Sequence, residues 1–407
     1  MTAMPAIDVA SALENLRRGG LYRQRRVIES APGARVVLDG AEVLLLCSND
    51  YLGLAGHPAV RAAAADGAER WGAGAGASPL VSGHMAIHRE LEQELAEFKR
   101  YDACVLFGSG FLANVGVISA LAGAGDVILS DALNHASLID GCRLSRAETI
   151  AYDHCDLDSL AAGLDRAAGR QALIVTDAVF SMDGDVAPLG EIIELARRHR
   201  ARIIVDEAHA TGVVGPGGRG LVSALGAERH VDVVVGTLGK ALGSYGAFAC
   251  CERTMAEFLV NRARTLIFST ALPPPSVAAA LAALRIVRCE PAIVQRVQRN
   301  AGLFRRALAD HGFAIPESEM PIVAIIVGDP RHATAMSDAA LNAGVFVQPI
   351  RPPTVPNGTS RLRAVATAAH TQTDLRTAAA TLAAARDAAR HKPSEAHAGS
   401  ARPHHAV

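Results

Sequence analysis

Between about residues 58 and 300 the chain alternates short apolar runs with Ala-rich stretches whose apolar positions recur at helical spacing. The runs at 103–107, 126–130, 172–180, 202–206, 232–236 and 246–251 are mostly continuous rather than alternating. A strand with one wet face alternates apolar and polar residues, whereas a strand covered on both faces does not. The pattern therefore predicts an α/β fold, with a mainly parallel sheet sandwiched by helices. Upstream, residues 7–18 read as a helix closed by Gly19-Gly20. Residues 35–46 read as a hairpin turning at Asp39-Gly40, a dipeptide that tolerates the positive φ of a two-residue turn. Downstream, 276–312 predicts one or two long helices. Strand-like runs at 321–327 and 344–350 and a last helix near 372–390 complete a smaller α+β unit. The organisation expected is an N-terminal helix and hairpin segment (1–55), a large domain (56–285), a small C-terminal domain (286–390) and a polar, proline-bearing disordered tail (391–407).

Composition narrows the chemistry. The 407 residues are 50% hydrophobic and 20% charged with a net charge of −1, so no basic stripe is available to neutralise nucleic-acid phosphates. Only 4% are aromatic, which leaves little for base stacking. The 7 cysteines include no C-x-x-C pair, so reduced thiols and no metal centre are expected. No apolar run reaches the ~18 residues of a membrane span. No basic-then-apolar leader pattern opens the chain, and a cytoplasmic location is expected.

Two glycine patterns are misleading. Gly215-Pro-Gly217-Gly-Arg-Gly220 matches a dinucleotide fingerprint literally, but it follows an acidic and histidine-bearing segment instead of opening a βαβ unit. Gly239-Lys240 resembles the end of a P-loop, yet Ala241 replaces the hydroxyl that would hold magnesium.

The segments VFSMDGD (179–185), VDEAHATGVVG (205–215) and VGTLGKALGSYGAF (235–248) each follow a predicted strand. The C-terminal ends of parallel strands converge on one crevice. Ser181, Asp206, His209, Thr237 and Lys240 are therefore expected to be neighbours. Asp206 closes an apolar strand, and a buried carboxylate needs a cation, for which a protonated pyridine nitrogen would serve. His209, three residues on, could reach the phenolic oxygen of such a ring. Lys240 lies among apolar and glycine residues, where a depressed pKa favours Schiff-base chemistry. The surrounding glycines are expected to let a bulky ligand approach the backbone. GSGFLAN (108–114) offers a helix N-terminus suited to phosphate, and His135 in NHASLIDG could stack on a flat ring.

Together these residues resemble the α-oxoamine synthases, pyridoxal-phosphate enzymes of fold type I. The resemblance runs from about 21 to 372 through SNDYLGL (48–54), GAGASPLVSGH (74–84), GSGFLAN, NHASL, VFSMDGD, VDEAHATG, GTLGKALG, IFSTALPP (267–274) and IRPPTVPNGTSRLR (350–363). It implies pyridoxal 5′-phosphate held by Lys240 as a Schiff base, Asp206 at the pyridine nitrogen, His209 at the phenolic oxygen and His135 over the ring. It also implies Gly110, Phe111 and Ser181 lining the cofactor, Thr237 on its phosphate, and Ser269 and Thr270 reaching the phosphate of a neighbouring subunit in a homodimer. Arg363 would hold the amino acid carboxylate with Asn49 nearby and Arg361 as the alternative, while Arg23 and Thr367 would contact the acyl substrate. The 350–363 run and ATAAHT (366–371) point to the branch that condenses L-alanine with a pimeloyl thioester, on coenzyme A or acyl carrier protein. A sibling using glycine or serine shares most of these motifs. A non-catalytic subunit on the same fold would lack the lysine. Glu207, Ala210 and Ser244-Tyr245 depart from the common pattern without removing a reactive group.

Overall fold

The structure is a computed structural model that describes residues 7–390. The tail expected to be disordered lies outside the described residues. The strands, in chain order, are β1 (Arg35–Leu38), β2 (Ala41–Leu45), β3 (Ala103–Phe107), β4 (Val127–Asp131), β5 (Glu148–Tyr152), β6 (Ala172–Asp177), β7 (Arg202–Asp206), β8 (Val233–Thr237), β9 (Ala247–Cys251), β10 (Ile322–Gly328), β11 (Val345–Phe346), β12 (Gln348–Ile350) and β13 (Ser360–Val365).

Seven strands form the central sheet in the order β3-β9-β8-β7-β6-β4-β5. All pair in parallel except β9, which runs antiparallel to both β3 and β8. The continuous apolar runs have the predicted cause. Strands such as β4 and β9 are buried at every position, and separate apolar clusters cover the two faces of the sheet. Strand β5 was not legible in the hydropathy because it is the outermost strand and exposes most of its residues. The run at 172–180 stops being strand at Asp177: Ala178 still donates to the Asp206 carbonyl, but Val179 makes only an isolated bridge to Val186 as the chain turns.

The expected hairpin forms between β1 and β2, with Asp39 at φ 50° and Gly40 at φ 77°. It does not stand alone, because β2 continues in parallel into β11. The predicted 344–350 strand is two strands in different sheets, with β11 beside β2 and β12 beside β13. Strand β13, unlisted among the expected strands, is the centre of its sheet between β10 and β12 and is buried at every residue. The long helical stretch breaks at Glu290-Pro291 into helices Pro274–Cys289 and Ala292–Asp310. No helix among the described residues is long and apolar enough to cross a membrane.

The false dinucleotide fingerprint has a structural job. Lys99 (2% exposed) and Glu207 (1% exposed) form a buried ion pair at 2.5 Å. Lys99 Nζ also donates to Thr211 Oγ1 at 2.9 Å and to the Arg219 carbonyl at 2.6 Å. The glycine-rich loop closes over this pair. Gly220 has φ +109°, and a Cβ there would lie 1.9 Å from Glu207 Oε2. Lys99→Met is expected to cost about 3–5 kcal/mol in chemical denaturation, since it strands a buried carboxylate. Adding Glu207→Leu should restore most of that loss.

Candidate active site

Register alone places the site. Asp177 of β6 stands opposite Asp206 of β7, so those strands end level, and Asp206 stands opposite Val235 of β8, which runs on to Thr237. The segments leaving those ends converge as the sequence predicts. Lys240 Nζ lies 2.7 Å from His209 Nε2, and His209 Nδ1 lies 2.5 Å from Tyr51 Oη. Tyr51 Oη reaches Asn49 Oδ1 at 3.5 Å, which brings Asn49 to the same crevice.

Burial sets the charge states. It depresses Lys240 from an ordinary 10.5 to about 8, against the opposing pull of Asp206 and Asp177. The same desolvation, with Lys240 close by, holds His209 well below its ordinary value, so its imidazole is neutral. His135 is also lowered, by burial first. Asp177 is raised by burial and by the Asp206 charge, while it accepts the His135 N–H at 2.7 Å.

Asp206 is 4% exposed, and no lysine, arginine or histidine among the described residues forms an ion pair with it. It accepts instead from the neutral Asn114 Nδ2 at 2.6 Å and from the Ala208 N–H at 2.7 Å. Asn114 Nδ2 also reaches Ser137 Oγ, while Asn114 Oδ1 has no partner. Ser137 Oγ in turn meets His135 Nδ1 at 2.7 Å. A buried anion held by neutral donors is costly and well matched to a cationic ring nitrogen.

Arg363 (6% exposed), whose charge acts on both Lys240 and His209, donates through Nε to the Ser181 carbonyl, and its Nη2 is buried with no partner. Arg361, two residues away on the same face of β13, pairs with Asp183. This separates two arginines that sequence alone left as alternatives: Arg361 has its carboxylate and Arg363 does not.

Gly110 and Phe111 open the helix Gly110–Leu121, capped by Ser109, so their N–H groups belong to the unsatisfied first turn. Thr237 Oγ1 donates to the Gly246 carbonyl and accepts from the Gly239 N–H. Of the glycines around Lys240, Gly236, Gly243 and Gly246 make room for protein, whereas a Cβ on Gly239 would meet only ordinary contacts. Gly243 has φ +57°, and a Cβ there would sit 2.3 Å from the Ala55 N.

The remaining expected residues make no side-chain hydrogen bond to this cluster, although Ala368, next to Thr367, donates its N–H to the Tyr51 carbonyl at 2.8 Å. Ser269 and Thr270 line a different cavity of about 340 Å³, with Phe107 and Gly108 in its wall. Arg23 is exposed and reaches Thr354 Oγ1 at 3.3 Å. Thr367 is buried with its hydroxyl on His370 Nδ1 and its carbonyl held by Asn300. Sequence reasoning missed Tyr51, Asn114, Ser137 and Asp177. Asn114 had a signal, being a buried polar residue in an apolar helix. Asp177 had the same one as Asp206, an acid closing an apolar strand. Tyr51 had none.

A PLP-type crevice on a doubly covered, mainly parallel sheet is what the comparisons find as well. The family model for aminotransferase class I and II matches residues 41–382, and the chain belongs to that family. It is 52% identical over 369 residues to an 8-amino-7-oxononanoate synthase of Anaeromyxobacter dehalogenans, covering 90% of this chain and 93% of that one. It is 49% identical over 380 residues to the synthase of the same name from Geobacter sulfurreducens, covering 92% and 97%. Among solved structures, serine palmitoyltransferase of Sphingomonas wittichii superposes with a TM-score of 0.89 at 32% identity, covering 95% and 98%. An 8-amino-7-oxononanoate synthase from Francisella tularensis superposes at 0.73 with 29% identity, covering 84% and 97%. The cofactor is pyridoxal 5′-phosphate. The unpaired Asp206 carboxylate and the depressed Lys240 amine fit that group.

Proposed function

We propose that the chain carries out the 8-amino-7-oxononanoate synthase reaction, joining L-alanine to a pimeloyl thioester with loss of carbon dioxide. The observation that carries this reading is a depressed lysine in one crevice with a buried carboxylate that forms no ion pair, near an arginine with an unused Nη2. Asp206 would meet the ring nitrogen, His209 the phenolic oxygen and His135 the ring face, with Ser181 beside the cofactor. Thr237 and the first-turn N–H groups of Gly110 and Phe111 would hold the phosphate. When bound, the cofactor draws electrons away from the substrate Cα.

The rest is done by the protein. Arg363 binds the alanine carboxylate, with Asn49 near it. The Lys240 amine takes the Cα proton. A Cα–acyl carbon bond forms as the C–S bond of the thioester breaks and the thiol leaves. The Cα–carboxylate bond then breaks to release carbon dioxide, and a proton returns to Cα. Arg23 and Thr367 are assigned to the acyl chain. Ser269 and Thr270 stand away from Lys240, which supports a homodimer in which each copy completes its partner's phosphate site. A cytoplasmic location fits the unpaired cysteines.

The backbone superposes better on a serine-using synthase than on the Francisella enzyme. Sequence identity supports the assignment, at 46–52% to proteins named 8-amino-7-oxononanoate synthase against 32–34% to serine palmitoyltransferases. A screen of alanine, glycine and serine against pimeloyl-coenzyme A and pimeloyl-acyl carrier protein tests it. Alanine with a pimeloyl donor should be preferred at least about tenfold, equal to roughly 1.4 kcal/mol. Preference for glycine or serine would overturn it.

The Lys240 amine must be neutral to attack the aldehyde. Capture of pyridoxal phosphate by the apo-protein should therefore quicken about tenfold per pH unit at low pH and level off near pH 8, not near 10.5. Stopped-flow absorbance measures this directly.

A further inference from the structure

His154 lies outside the crevice, in the turn after the outermost strand β5, yet both of its ring nitrogens face carboxylates. Nδ1 is 2.9 Å from Asp131 Oδ1, and Nε2 is 2.6 Å from Asp185 Oδ2. The ring also stands edge-on to Phe180, with centroids 4.4 Å apart. Two acceptors require two N–H donors, so the ring is an imidazolium. Donating hydrogen bonds to Asp131 and then to Asp185 pushes it up to about 12.

Asp131 organises one turn of the site through its carboxylate, and Asp185 belongs to the other through its backbone. Asp131, buried at the end of β4, accepts the Leu133 N–H at 2.8 Å and the Cys155 N–H at 2.9 Å. That turn delivers His135, whose own N–H is fixed on Asp177. Asp185 closes the other turn, where its carbonyl accepts the Phe180 N–H and the Phe180 carbonyl accepts the Gly184 N–H. That turn carries the Ser181 carbonyl that aims Arg363 and the Asp183 that occupies Arg361.

We propose that His154 is a positioning residue that ties the turn bearing His135 to the turn that aims Arg363, and so sets the grip on the amino acid carboxylate. It touches neither substrate nor cofactor. The proposal rests on the carboxylate-binding role given to Arg363 above. Asp131, His154 and Cys155 also bring three metal-ligand atoms within 4.8 Å of one another. Both ring nitrogens are already spent on carboxylates, however, and Cys155 Sγ sits 3.8 and 3.7 Å from the two of them, beside the ring. The cation at this point is therefore the imidazolium.

The test uses the cofactor-loaded enzyme with His154→Gln and Asp185→Asn, singly and together. L-Alanine is titrated against the visible spectrum, with KM and kcat measured in parallel. Each single variant should weaken alanine binding and raise KM about tenfold, with kcat changed less than threefold and cofactor affinity within twofold. The double variant should be no worse than either single, because the two act through one contact. Hydrogen exchange at the Gly184 N–H should rise at least tenfold while core amides such as Ile174 stay protected. Unchanged alanine binding in both variants, or strictly additive losses, overturns the clamp. So does stoichiometric Zn²⁺ capture in equilibrium dialysis that His154→Gln abolishes. If the wild-type enzyme itself shows no alanine-dependent spectrum, the reading of the site has failed and not the clamp. Should His154→Gln not fold, Asp185→Asn carries the test alone.

Discussion

Lys240→Ala is expected to lower turnover by about four orders of magnitude, equal to roughly 5–6 kcal/mol in the barrier. One amine serves both to hold the cofactor and to take the Cα proton, so its removal deletes two roles together. The amine is suited to both because burial brings it to about 8, where an appreciable neutral fraction exists at physiological pH while the amine is still basic enough to hold a proton. The cost to the fold should be small. Among the described residues Lys240 makes one side-chain hydrogen bond, to His209, and His209 keeps its contact with Tyr51. The variant should purify without the visible band of the covalently held cofactor and show an unchanged thermal midpoint. An alanine variant that retained turnover would falsify the assignment of Lys240.

Asp206→Asn is the second large effect. The two side chains have the same shape, so the Ala208 N–H still finds an oxygen. Asn114 presently offers Nδ2 to Asp206 and leaves Oδ1 unused. A flip of that amide would present Oδ1 to the new NH₂ group, at the expense of the Nδ2 bond to Ser137 Oγ. The fold and the visible band should persist. What disappears is the negative charge that keeps the ring nitrogen protonated and the cofactor electron-poor. A fall in kcat of about 10²–10³ is expected, with KM for alanine within about threefold, because Arg363 is untouched. Normal rates of Cα–H exchange in deuterated water would remove the electrostatic argument for Asp206.

Much of this was legible before any coordinates. Continuous apolar runs have few explanations besides strands covered on both faces, and a charged residue ending such a run has few besides a ligand site. That logic led to Asp206, Lys240 and His209, which do meet in one crevice. The same logic covers Asp177, but its signal is masked because the apolar run resumes at Ala178-Val179-Phe180. Strand β5 escaped for the opposite reason, since an exposed edge strand carries little hydrophobic signal. The glycines near Lys240 and in the 215–220 loop were visible, but their purpose was not. A sequence shows that a Cβ is missing, whereas what would have struck it depends on segments far away, such as Ala55 and Glu207.

By itself, then, the chain determined its architecture and the chemical inventory of the site, because burial and reactive-group identity leave local marks in residue order. Tertiary structure decided which groups remain unsatisfied. Arg361 and Arg363 are equivalent in the motif, and only the folded chain places Asp183 against one and leaves the other with a spare donor. The partnerships Tyr51–His209 and Asp131–His154–Asp185 likewise join residues from separate strand ends. Pairing across such distances is set by the register and order of the sheet, and no periodicity in the sequence encodes it.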